Sequence, residues 1–519
     1  MTKIGQNSGS IRQITVWLFA VAIVLTYFFA LDLPFLGPDE PRYAQVAREM
    51  YERGDWVSTT LGGFNWFEKP ALLYWFQIVG YGIFGVGEFA ARFGPALFGL
   101  GTALSLFFVG RNLDRLLAST EADQQRFSFR FLLPLITATS LGILVFSRAA
   151  SFDVTITFPI AASLAGFLVY DLQEGKPESR RQTGLFFFYF FMGIGLLAKG
   201  LIGVVLPAGI VGLYLVVAQR PIGKQLWISA FWGLALMLLT ASVWYVPVIL
   251  RHGWEFVDEF FIQHHFQRYT SNKYRHPGPF WYFWLILPAM TIPWIPFFLG
   301  SVFSGVRDAY RRIAGATQAQ DSNETTRRAR LFAACWIIVP LFFFSLSGSK
   351  LPGYILPALP GAVLLTAFTV RSFTGKSHAR AVLIELTAFL MLVVVCALLA
   401  FALPRFAEED SVKHMIATAA KKGYGNAKVL SMNNTPHSAE FYAAGRLVRD
   451  EDGKQWQFLS PAGIERYLKE NGNKHVLVIA PAEKLPILLN NPYFRAELIE
   501  KNSELTMVGV TSIPKGEVY

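Results

Sequence analysis

The chain alternates between long apolar runs and short polar interruptions. Eleven runs approach or reach the roughly 20 residues a helix needs to cross a bilayer: 13–31, 89–110, 129–147, 154–170, 184–198, 201–218, 227–250, 280–302, 330–346, 353–371 and 381–403. They predict an all-α polytopic membrane bundle of about 11–13 transmembrane helices, since the fifth and sixth runs are short and divide in more than one way. The polar stretch 32–88 separates the first two runs. Within it, Tyr43, Val46, Ala47 and Met50 fall on one helical face and predict an amphipathic helix over 40–52 along the membrane interface. Asp39 is a favoured N-cap for that helix, and Pro41 is tolerated in its first turn. A second interfacial helix is expected over 70–85, with Pro70 at its first position.

After residue 405 the pattern changes. Strand-like runs at 428–432, 476–480 and 506–511 alternate with polar helix-like stretches at 408–422 and 461–471, which predicts a small α/β domain. The expected division is a transmembrane domain, 1–404, carrying the loop 32–88, and a C-terminal domain, 405–519.

Composition sharpens the membrane reading. The chain is 53% hydrophobic and 16% charged, where soluble domains carry about 25% charged residues. A net charge of +11 invites a nucleic-acid reading. The Lys and Arg residues lie between apolar runs, however, where they orient spans, so no nucleic-acid partner is expected. Cys335 and Cys396 both sit inside apolar runs and build no disulfide framework. The run 14–31 is too long for a signal-peptide core and is followed by no small-residue cleavage site, so it reads as a retained first span.

The basic loops 111–130, 176–181, 220–224, 307–330 and 371–380 read as cytoplasmic, with the N-terminus. The remaining connections then face outward. That gathers Asp39, Glu40, Glu68, Lys69, Asp153, Lys199, His264, His265, Arg268 and Lys350 on one side. Ionisable groups caught between spans usually mark a site. Asp39, with Glu40 beside it, suits a general base or an acceptor-orienting group, and equally a plain helix cap. Asp153 opens the fourth span, as an acid of the site or as a cap. Lys69, Lys199 and Lys350 are point charges for a phosphate, or lysines reaching for head groups at turns. Arg268 offers a fork that grips phosphate through two parallel hydrogen bonds. Four cations on one face call for an anionic partner, and a lipid phosphate fits. Glu68, His264 and His265 are candidate ligands of a divalent metal, although neither HxxxH nor HxH spacing occurs; interfacial packing is the other reading of the histidines.

The sequence 347–352, SGSKLP, lacks the leading glycine of a P-loop, and no GxGxxG follows a strand, which argues against a soluble nucleotide-dependent enzyme. A transporter or flippase of a lipid-linked sugar stays open, as does a lipid-binding scaffold. The charges cluster at one surface, whereas broken transporter helices place their site near the midplane.

Pro38-Asp39-Glu40-Pro41-Arg42-Tyr43-Ala44, Gly54-Asp55-Trp56-Val57 and Phe67-Glu68-Lys69-Pro70 followed by Tyr74-Trp75 resemble the first periplasmic loop of the ArnT family. These are 4-amino-4-deoxy-L-arabinose lipid A transferases, within the protein-O-mannosyltransferase-like group of GT-C glycosyltransferases. The likeness continues at Lys199-Gly200, His265-Phe266-Gln267-Arg268-Tyr269, Pro279-Phe280-Trp281-Tyr282 and Lys350-Leu351-Pro352. Family members usually carry Thr where this chain has Pro41. The resemblance implies a GT-C fold in the bacterial inner membrane. It implies an inverting glycosyltransferase that moves a sugar from an undecaprenyl-phosphate donor to lipid A or another envelope acceptor on the periplasmic side. Asp39 matches the family's loop acid, Lys69 its lysine, Arg268 its carrier-phosphate arginine and Asp153 its acid at the start of a later span.

Overall fold

The computed structural model describes residues 3–117, 127–174, 178–267, 278–313, 323–409, 411–433, 436–472 and 475–513. The chain forms two compact units. One holds Met1–Phe29, Phe67–Leu73 and Arg92–Cys396; the other holds Ala30–Trp66, Tyr74–Ala91 and Ala397–Tyr519. The helices, in order, are α1 (Lys3–Phe28), α2 (Asp39–Arg53), α3 (Leu72–Phe84), α4 (Glu88–Leu117), α5 (Phe129–Thr139), α6 (Leu141–Phe146), α7 (Phe152–Leu172), α8 (Glu178–Lys199), α9 (Ile202–Val217), α10 (Lys224–Val257), α11 (Tyr282–Met290), α12 (Ile295–Ile313), α13 (Glu324–Ser345), α14 (Leu359–Thr374) and α15 (His378–Ala397).

Among the described residues, seven helices are long and apolar enough to cross a membrane. The chain is a multi-pass membrane protein. Ile14–Phe28, Phe129–Thr139 and Ile202–Val217 are shorter apolar helices. Lipid tails give apolar helices no reason to leave them for one another, so close approach depends on small residues. A Cβ on Gly203 of α9 would lie 2.3 Å from the carbonyl carbon of Gly195 on α8, and one on Gly166 of α7 would lie 2.7 Å from the carbonyl oxygen of Gly184.

Three predicted segments differ. The run 280–302 is two helices, because Pro293 has no N–H to continue the ladder after α11. The run 129–147 breaks at Ser140, whose backbone is extended. The two breaks serve each other: Leu141 N–H donates to the Ile292 carbonyl at 2.8 Å and the Trp294 indole N–H to Thr139 Oγ1 at 3.1 Å. Irregular backbone in an apolar segment persists only when protein satisfies it in this way. The third segment is 251–279, expected as a loop; it stays helical through Gln267, past a kink at Gly253, where φ is +56°.

The lysine- and arginine-rich connections also do more than orient spans. Arg328 on α13 is buried and meets Asp171 on α7 at 2.6 Å, while the Tyr214 hydroxyl on α9 donates to the same carboxylate at 2.6 Å. Arg220 reaches Asp171 at 3.3 Å and Glu174 at 2.8 Å. The Arg220 hydrogen bond holds the Glu174 carboxyl below its ordinary range.

In the second unit, β3 (Val429–Met432), β4 (Gln457–Phe458), β5 (His475–Pro481), β6 (Phe494–Lys501) and β7 (Leu505–Ser512) form one sheet in the order β4-β3-β5-β7-β6. β3 runs parallel to β4 and β5, whereas β7 is antiparallel to β5 and β6. Val476, Val478 and Ala480 pack on one face of the sheet and Leu477 and Ile479 on the other. That two-sided burial explains the unbroken apolar run by which β5 was predicted. β6 escaped notice because it is an edge strand carrying Arg495, Glu497, Glu500 and Lys501. Most of the first loop, Ala30–Trp66 and Tyr74–Ala91, belongs to this same unit. Its β1 (Thr60–Leu61) and β2 (Phe64–Asn65) form a hairpin, and α2 packs against α16 (Ala439–Tyr442).

Candidate active site

Asp153 sits in the first turn of α7, and Lys199 is the last residue of α8. Their charged ends meet at 2.6 Å, with each side chain about one-fifth exposed. Ser151, not Asp153, holds the cap position of α7. The ammonium of Lys199 also lies 5.2 Å from the centroid of the Tyr354 ring, a cation–π contact. Gly353, next to Tyr354, passes so close to α7 that a Cβ there would stand 1.9 Å from Asp153 Oδ2. The loop 347–354 therefore supports this ion pair from the side. Lys350 lies in the same loop and donates to the carbonyls of Ser345 at 3.1 Å and Ser347 at 2.7 Å, closing the C-terminal end of α13. Asp153, Lys199 and the Lys350 loop are thus brought together by three chain segments remote in sequence.

Glu68 and Lys69 form a second buried pair, at 2.5 Å. The segment that carries them is fixed by Phe67. Its ring packs on His252 and Phe256, and its N–H donates to Glu259 Oε1 at 3.3 Å. Glu259 belongs to the π-helical turn Asp258–Gln267, which leads to Arg268. Arg268 itself, like the side chains of His264 and His265, lies outside the described residues. Among the described residues no group of three His, Cys, Asp or Glu side chains could hold a metal ion.

Asp39 occupies the first turn of α2 but does not cap it: Pro38 is at the cap position, and no side-chain cap bond is made. The Asp39 carboxylate is half exposed, its contact with Arg42 a long 3.9 Å. Glu40 does the local backbone work instead. It is buried, and its Oε2 accepts the Leu36 N–H at 3.0 Å. The physical reason is reach: a glutamate one residue inside the helix arrives at a donor that the shorter aspartate does not.

A family model described as dolichyl-phosphate-mannose-protein mannosyltransferase matches residues 13–260. The undecaprenyl phosphate-α-4-amino-4-deoxy-L-arabinose arabinosyl transferase of Serratia proteamaculans is 30% identical over 445 residues, covering 82% of this chain and 74% of the relative. The chain belongs to that arabinosyl transferase family. The like-named protein of Aeromonas hydrophila is 30% identical over 420 residues, covering 79% of this chain and 71% of its own. The crystal structure of ArnT from Cupriavidus metallidurans bound to undecaprenyl phosphate shares the fold. Its TM-score is 0.72 at 21% identity, over 95% of this chain and 97% of that one.

Against that family background, several groups that hold the surrounding structure were not singled out from sequence. Gly353 and Glu259 act only through segments far away in the chain. Arg148, in the turn before α7, donates to the carbonyls of Thr26 at 2.7 Å and Phe29. Burial, and after it the Arg92 charge, lowers its guanidinium to about 10, so it stays cationic at neutral pH. Its place in a short turn between two apolar runs was the one available signal.

Proposed function

We propose that this arabinosyl transferase family member is an inverting, polyprenyl-phosphate-sugar-dependent glycosyltransferase. It moves 4-amino-4-deoxy-L-arabinose from undecaprenyl phosphate to lipid A, or to another envelope acceptor, at the periplasmic face of the bacterial inner membrane. The observation that carries the reading is the 30% identity over 445 residues to a transferase of that name. The N-terminus is cytoplasmic. Residues 1–404 form the transferase domain and 405–519 a periplasmic domain.

An acceptor oxygen attacks the anomeric carbon from the side opposite the carrier. The bond from that carbon to the phosphate oxygen breaks, and its electron pair leaves on undecaprenyl phosphate. Catalysis then requires cations where that charge grows. Lys69, Arg268, Lys199 and Lys350 take this role. Lys199 and Lys69 each rest against a carboxylate, so a bound phosphate competes with Asp153 and Glu68 for them. The partners of Lys350 are carbonyl dipoles, which leave its full charge for the phosphate. Asp39, with Glu40 beside it, serves the acceptor. A lipid A phosphate is already ionised and needs positioning; a hydroxyl needs a base as well.

Mass spectrometry of lipid A from cells with and without the protein tests the reading, together with transfer of radiolabelled sugar by the purified protein in detergent. The expected result is lipid A carrying the added pentose only when the protein is present. Absence of transferred product with every glycolipid acceptor, from protein with Asp39 intact, would favour a transporter of lipid-linked sugar.

A further inference from the structure

The stretch that leads into Asp39 is held from the C-terminal part of its own unit. The Phe35 N–H donates to the Tyr442 hydroxyl at 3.1 Å, and that hydroxyl donates onward to Glu88 Oε1 at 2.6 Å. Glu88, buried at the start of α4, is neutralised by Lys413 at 2.7 Å. The Phe35 ring stands edge-on to Phe441 at 4.9 Å, and the Arg48 guanidinium lies 5.7 Å from the same Phe441 ring. One helical turn, α16, thus touches the chain just before α2 and the middle of α2. The far end of the loop is gripped as well: a Cβ on Gly62 at the hairpin tip would strike the Arg449 side chain, and Arg449 is paired with Glu440 of α16.

We infer that Tyr442 is a positioning residue for the acceptor. Its hydroxyl is the joint between a charged pair (Glu88 with Lys413) and the main chain at Phe35, four residues before Asp39. A bond to a charged acceptor is directional and stronger than a neutral one. It fixes where the chain turns into α2, and so where the Asp39 carboxylate stands. The inference rests on the reading of Asp39 as the acceptor's group. The C-terminal domain then acts on the reaction as a brace for the acceptor loop, without a catalytic group of its own.

The test uses the full-length protein in detergent and measures equilibrium binding of lipid A and, separately, of undecaprenyl phosphate. Tyr442→Phe should weaken lipid A roughly three- to tenfold and leave undecaprenyl phosphate unchanged. In an Asp39→Asn background the same substitution should add less than twofold, because its effect passes through Asp39. Lys413→Met, at a half-exposed position, should reproduce the selective loss more weakly if Tyr442→Phe folds poorly. Equal weakening of both ligands, or a full additional loss in the Asp39→Asn background, overturns the positioning role. If Asp39→Asn weakens lipid A and neither other variant does, positioning fails while the acceptor role of Asp39 stands. If Asp39→Asn changes neither lipid A binding nor turnover, the acceptor role itself falls, and the inference with it.

Discussion

Asp153 and Lys199 lie 46 positions apart in sequence and 2.6 Å apart in space, joining the start of α7 to the end of α8. A carboxylate and an ammonium with only about one-fifth of each side chain exposed are each costly alone. Together they form a neutral pair that joins two helices.

Breaking the pair from one side leaves a charge without its partner. Asp153→Asn should cost about 1–3 kcal/mol of stability, the lower part of the range for a buried pair because each side chain keeps some solvent. The Asp153→Asn, Lys199→Met double variant should recover part of that loss. Denaturant titration of the wild type, Asp153→Asn, Lys199→Met and the double variant in detergent gives the coupling. Strict additivity would mean that the pair contributes nothing.

Gly353 should be intolerant for a reason that lies in Asp153. Alanine there brings its Cβ to 1.9 Å from Oδ2, so the carboxylate or the loop has to move. Turnover of Gly353→Ala should fall roughly 10- to 100-fold, with the thermal midpoint little changed. Wild-type turnover would show that the loop relaxes without disturbing the pair.

The role of Asp39 depends on what it serves. With a lipid A phosphate, Asp39→Asn should keep partial turnover, since the acceptor is already ionised. With a hydroxyl acceptor the same change should abolish it. A paired assay on the two acceptor types decides, and equal residual activity on both would remove the base role.

At the other end of α7, Asp171 is 4% exposed, and Arg328 is nearer to it than Arg220. Arg328→Met should cost about 3–5 kcal/mol by leaving a buried carboxylate short of charge. Arg328→Lys should restore little of it, because a lysine cannot reproduce the fork that reaches both the Asp171 side chain and the Asp171 carbonyl. Unfolding in detergent measures both, and an unchanged midpoint for Arg328→Met would show that Arg220 and Tyr214 suffice.

Much of this protein is written locally. Apolar runs become helices because lipid leaves the backbone no other partner, and the spacing of Tyr43, Val46, Ala47 and Met50 already placed α2. β3, β5 and β7 were legible because their buried runs are continuous. The list of ionisable groups between spans also came from the sequence alone, since charge is conspicuous in an apolar chain.

What the sequence could not decide is who meets whom. Periodicity is a property of neighbours along the chain, whereas a buried charge is settled by whatever lies within about 3 Å of it. Only the tertiary structure paired Asp153 with Lys199 and Arg328 with Asp171, and joined the helix breaks at Ser140 and Ile292. It likewise turned Glu40 rather than Asp39 to the backbone, and brought Tyr442 to the chain ahead of Asp39. Apart from the Glu40 contact, four residues long, each partnership crosses tens to hundreds of residues, and a local pattern carries no record of such a distance.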